Sequence, residues 1–173
     1  MKYQDCAEAL QADDSADSGC VSLTDANINP ATGLATDYLN HFNEAIMLLE
    51  MLSGCPDCRD DLLAWQPMSY REHFAASRFR GRAMAIAAYD AANIDVRGSL
   101  DTLAGTMTAV LTATRAAMNA DMPPETAAAL ADRAAALLKP LVARAGAVIN
   151  GGDMTNSGDP QAPQAVVDAL MKR

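Results

Sequence analysis

Apolar residues take up a helical rhythm from residue 34 onward. Leu34, Tyr38, Phe42, Ala45, Ile46, Leu49 and Leu52 recur at steps of three and four, which places them on one stripe of a helix. The run "SGCP" ends that helix, and Pro56 suits the first position of a short second one. After the breaker "QPMS", Ser69 and Glu72 have the spacing of a capping box, in which each side chain satisfies the other's main-chain donor. The third helix is then expected to continue through "FRGRAMAIAAYDAA". Beyond "NIDVRG", Ser99 is the expected cap of a helix that buries Leu100, Leu103, Met107, Val110, Leu111, Thr114 and Met118.

The chain restarts at "DMPPE" with an alanine-rich stretch that reaches Ile149 and carries Leu130, Ala134, Leu137, Leu141 and Val148 on one side. Pro140 lies inside it and is expected to kink or split it, because proline lacks the donor that bonds to the preceding turn. "NGGD" reads as a helix stop, and Asp159 with Pro160 as the start of a last short helix bearing Val166, Val167 and Leu170. No segment alternates apolar and polar residues as a half-buried strand does.

These elements predict an all-α fold: a single-domain antiparallel helical bundle of about five to six helices. Residues 1–31 are acidic and rich in small residues and are expected to form a partly disordered arm, residues 32–150 the bundle, and residues 151–173 a Gly/Pro-rich linker with the last short helix. Composition agrees. Of 173 residues half are apolar, a fifth are charged and only 5% are aromatic, a balance that suits one globular domain. A net charge of −9 argues against a nucleic-acid surface, which requires a basic face. No apolar run has the length of a membrane span, and the first twenty residues have no apolar core of a secretory signal, so a cytoplasmic location with reduced thiols is expected.

Three clusters are candidates for chemistry. His41, one of two histidines, has Asp37 four residues before it and Glu44 three after, all on one flank of the first helix. A carboxylate bonded to one ring nitrogen would fix the tautomer and leave the other for a metal or proton. The order His41-x-x-Glu44 reverses the Glu-x-x-His of carboxylate di-iron bundles, and no second copy exists. The bland alternative is a boundary histidine satisfied by its neighbours.

Cys55 and Cys58, around Pro56 and Asp57, have the gap of a zinc half-site or a dithiol pair, and a helix start favours a thiolate. A divalent metal such as zinc held by these cysteines with His73, or with Cys6 and Cys20 from the arm, is one reading; small apolar packing is the other. His41 lies most of a helix, about 20 Å, from Cys55, so one shell does not hold both. His73 approaches His41 only if the segment between their helices doubles back. Finally, Arg71, Arg78, Arg80 and Arg82 would suit a phosphate or carboxylate ligand, or internal pairing with Asp57, Asp60 and Asp61 of the preceding helix.

Three functional classes follow. The first is a non-enzymatic helical protein acting through a protein partner or self-association. Met47, Leu48 and Met51 lie off the main stripe of the first helix, and methionines there suit an adaptable groove. The second is a metal-binding or thiol-redox protein using Cys55 and Cys58, or His41, Asp37 and Glu44. The third is an enzyme or phosphate-ligand binder built on His41, His73 and the arginines. The first is the expectation carried forward, with neither catalytic nor cofactor-binding residues assigned.

Overall fold

The computed structural model describes residues 22–55, 58–118, 121–152 and 167–168. Among them are six α-helices and no strand. A 3-10 turn, Thr36–Leu39, leads into α1 (Asn40–Met51); α2 (Cys58–Ala64), α3 (Tyr70–Ala76), α4 (Arg82–Ala91), α5 (Ile94–Ala117) and α6 (Pro124–Ile149) follow. The all-α bundle expected from the sequence is the observed architecture.

The two long helices form its spine. Only a short connection separates α5 from α6, so they run antiparallel and pack along each other. Leu100, Met107 and Leu111 of α5 and Ala131, Ala134 and Leu138 of α6 have no exposed surface. The α6 alanines at this seam let the two backbones approach closely. α1 lies against α6 and α2, and α3 pairs with α4. Every residue of the expected α1 stripe is buried, from Leu34 to Leu52, although Leu34 precedes the helix. The expected α5 face, Leu100 to Met118, is buried as well.

Two local expectations need correction. The helix expected to run from Ser69 to Ala92 is two helices. Its capping box is present, with Ser69 Oγ accepting from Glu72 N, but the chain becomes extended at Ser77 and resumes helix only at Arg82. Ser77 Oγ donates to Phe74 O (2.8 Å), closing the first helix, and Phe79 packs onto the core. At Gly81 a Cβ would stand 2.8 Å from Ala26 Cβ and 2.9 Å from the Phe79 ring, so the restart needs the missing side chain.

The cap of α5 is Asn93, whose Oδ1 accepts from Asp95 N and Val96 N; Ser99 sits inside the helix, donating to Asp95 O. α6 is continuous through Pro140 rather than split. Pro140 and Ala136, whose carbonyl loses its helical donor, are both exposed. The expected side of α6 is met in part: Ala134 and Val148 are buried, Leu130, Leu137 and Leu141 are half-buried against the core, and the deep face also takes in Ala127, Ala131, Ala135 and Leu138.

The "NGGD" stop has the Schellman pattern: Gly151, at φ 75°, donates to Val148 O and Gly152 to Ala147 O. The last predicted helix lies outside the described residues except at 167–168, which are helical. The described end of the expected arm is docked. Ala26 and Ile28 are buried, and Ile28 and Ala35 form an antiparallel bridge.

A cleft beside an imidazole pair

The aromatic residues are few, yet they are gathered. All seven Phe, Tyr and Trp residues of the described segments belong to one network of ring contacts with both histidines. The network links the 3-10 turn, α1, the end of α2, α3 and α4. Tyr38 and Tyr70 anchor it. Tyr38 Oη donates to Met68 O, and Tyr70 Oη accepts from Ala35 N (2.9 Å). Burial raises the phenol pKa of both, that of Tyr70 to about 12.

His41 and His73 meet inside this network, with ring centres 6.1 Å apart. The segment between their helices does double back, so the conditional approach read from the sequence is realised. His41 is 5% exposed and stacks on Trp65, centres 4.6 Å apart and planes 23° from parallel. Trp65 Nε1 donates to His41 O (3.1 Å), so the indole is tied to the residue whose ring it covers. His41 Nε2 is buried without a hydrogen-bond partner.

Burial holds the His41 pKa below its ordinary value, the neighbouring His73 pushes it the same way, and a hydrogen bond with the Gln66 main chain opposes both. His73, half-buried, is also lowered by burial, against the charge and main-chain hydrogen bond of Asp37. Both imidazoles are therefore neutral near neutral pH. The Asp37 carboxylate itself accepts from Asn27 Nδ2 (2.7 Å) and does not serve the His41 ring.

On the outer side of His41 lies a cleft of about 430 Å³ between α1 and the end of α2. Met47, Leu48, Ala64, Trp65 and Met68 supply apolar walls; Glu44 and Asp61 supply two carboxylates, and Gln66 an amide. Met47 is 51% exposed, and Met51, one turn further along α1, is 45% exposed. Among the described residues the remaining large exposed hydrophobic residue is Ile94, at the start of α5.

The other candidates are placed apart from this pair. Cys58 is the first residue of α2 and is buried, while Cys55 precedes it and is half-buried; the Pro56 expected as helix start lies outside the described residues. Among the described residues no three His, Cys, Asp or Glu side chains gather so as to hold a metal ion. Arg71 pairs with Asp90 (2.6 Å) rather than with acidic residues of α2, Arg78 and Arg80 are exposed, and Arg82 donates to Ser77 O. The guanidinium groups thus do not converge on the imidazoles.

Sequence reading missed Trp65, Met68 and the tyrosine cluster. Trp65 is the one tryptophan of the chain, a signal that was available but without a periodic pattern to place it. Tyr89, with both Asp101 carboxylate oxygens accepting from its hydroxyl (2.7 and 2.9 Å), stacks on Tyr70 and is raised to about 12 by burial and by Asp101. No helix among the described residues is long and apolar enough to cross a membrane. Comparison of the chain with protein-family models, with curated proteins and with solved structures returns no match.

Proposed function

We propose that this is a non-enzymatic interaction protein whose cleft between α1 and the end of α2 receives an apolar, positively charged segment of a protein partner. The observation that carries the reading is the exposure of Met47 and Met51 beside that cleft: two of the three large exposed hydrophobic residues among those described lie on one strip of α1. Exposed apolar surface is costly unless a partner covers it, and unbranched thioether side chains adapt to varied shapes. Charge selects the occupant. Glu44 and Asp61 flank the cleft and the whole chain carries −9, so a cationic segment is drawn in and a second copy of this chain is repelled. A helix with apolar residues at i, i+3 and i+4 and lysines around them has the matching chemistry.

Trp65 lines the cleft and is the one tryptophan, so its emission reports occupancy. The test titrates the protein with a synthetic Leu/Lys helical peptide and with its Leu/Glu counterpart. Saturable binding of the lysine peptide alone, weakened about tenfold or more by Met47→Glu, is the expected result. Equal response to both peptides, or indifference to Met47→Glu, overturns the reading. Sizing of the protein alone separates this from self-association, which would appear as a dimer lost in the same variant.

A further inference from the structure

The cleft's inner wall is made by two residues, His41 and Trp65, that also belong to the imidazole pair. We propose that His41 and His73 form an acid-sensitive latch on this wall: neutral, the pair holds Trp65 against α1; protonated, it lets that wall go. The inference rests on the docking reading only for its consequence, which is release of the partner in acid.

Geometry carries it. A proton added to His41 goes to Nε2, the nitrogen that has no hydrogen-bond partner and no contact with solvent. The new N–H is then a charged, buried donor without an acceptor, which is among the costliest arrangements a protein interior can hold. Protonation of His73 as well would set two cations with ring centres 6.1 Å apart. Two features resist the release: an imidazolium gains from the Trp65 face beneath it, and the Gln66 main chain accepts from the ring. Burial outweighs them, since the net effect on both histidines is to favour the neutral form.

The charged groups around the pair cannot reverse this. Asp37, on the 3-10 turn, acts on His73 and is bonded to Asn27; Glu72, next to His73 on α3, accepts from Ser69 N in the capping box; Glu44 of α1 and Asp61 of α2 line the cleft outside the His41 ring. From α5, Arg115 donates to the Leu63 carbonyl, and from α6, Lys139 pairs with Glu50 further along α1. Once charged, His41 finds its nearest relief by turning toward the cleft carboxylates and water. That movement abandons the stack on Trp65 and opens the wall on which an occupant would rest.

Acrylamide, a neutral quencher, reads the exposure of Trp65 in the full chain without any ligand. Its quenching constant is expected to rise about threefold between about pH 7.5 and about pH 5, with the far-UV helical signal unchanged. His41→Phe keeps a ring over the indole but cannot titrate, so its quenching stays low throughout. His73→Gln removes the like charge, so the step persists with its midpoint moved toward higher pH. A wild-type protein with no step, or both variants showing the wild-type step at the wild-type midpoint, overturns the latch; should His41→Phe fail to fold, the His73→Gln midpoint decides alone. Addition of the lysine peptide separates the two readings. An acid step without peptide binding at pH 7.5 defeats docking alone, and peptide binding without an acid step defeats the latch alone.

Discussion

Trp65 and His41 hold each other twice. The indole covers the imidazole at 4.6 Å, and its Nε1 donates to the main-chain carbonyl of the same residue at 3.1 Å. One contact fixes the ring and the other fixes the backbone, so the chain leaving α2 is pinned to the first turn of α1. The contrast between two substitutions tests this. Trp65→Phe keeps a stacked ring and loses the hydrogen bond, an expected cost of about 1 kcal/mol. Trp65→Ala removes the ring as well and is expected to cost about 3–5 kcal/mol. Urea unfolding followed by circular dichroism measures both; similar costs would mean that the stack contributes little.

The same pair sets the response of stability to acid. Both histidines have folded-state values below the 6.5 of an unperturbed imidazole. Above that value neither state is charged and stability is full. As the pH falls below it, the unfolded chain takes up protons that the folded protein resists, so stability drops until the folded values are reached. The urea midpoint is therefore expected to decline from about pH 6.5 downward. In the double variant His41→Phe with His73→Gln that part of the decline disappears, leaving only the carboxylates, which lose their contribution in more acid solution.

How much of this was legible in the sequence depended on whether period or path decided it. The α1 stripe from Leu34 to Leu52 and the α5 face from Leu100 to Met118 follow from spacing alone, because helix geometry determines which residues share a side. The approach of His41 to His73 depended on the course of residues 53–69, which carries no period, so only its level along the helices could be read. Trp65 was invisible for the same reason. At Pro140 the sequence left two outcomes open, a kink or a split, and the unbroken helix excludes the split; the proline and Ala136, which loses its donor, both lie on an exposed face.

The break between α3 and α4 is a third case, set by a distant part of the chain. Its residues have helical composition, and the restart at Gly81 is shaped by Ala26, whose Cβ would lie 2.8 Å from any Cβ placed there. Gly81→Ala, a change that normally favours helix, is here expected to destabilise by about 1–3 kcal/mol. The companion variant Ala26→Gly removes the nearer of the two obstacles and leaves the Phe79 ring at 2.9 Å. If the clash is the cause, Gly81→Ala costs less in the Ala26→Gly background; thermal unfolding of the four proteins gives the coupling, and strict additivity would refute it.

Thr32 ties the docked N-terminal loop to the far end of the bundle. Its Oγ1 donates to Ile149 O at 2.6 Å, at a buried site where α6 ends. The neighbouring carbonyls of Ala147 and Val148 are satisfied by Gly152 and Gly151, so the Schellman turn leaves Ile149 O to be met from outside the helix. Thr32→Val preserves shape and burial but removes the only donor this side chain offers, leaving a buried carbonyl unmet. The expected cost is about 1–3 kcal/mol, above that of an exposed Thr→Val change, because the loss includes the desolvated acceptor as well as the bond. Thr32→Ser keeps the donor and gives up a methyl group, so it is expected to cost less than Thr32→Val. Urea unfolding orders the two variants, and a Thr32→Val protein as stable as wild type would show that the loop is held by Ile28 and Ala26 packing alone.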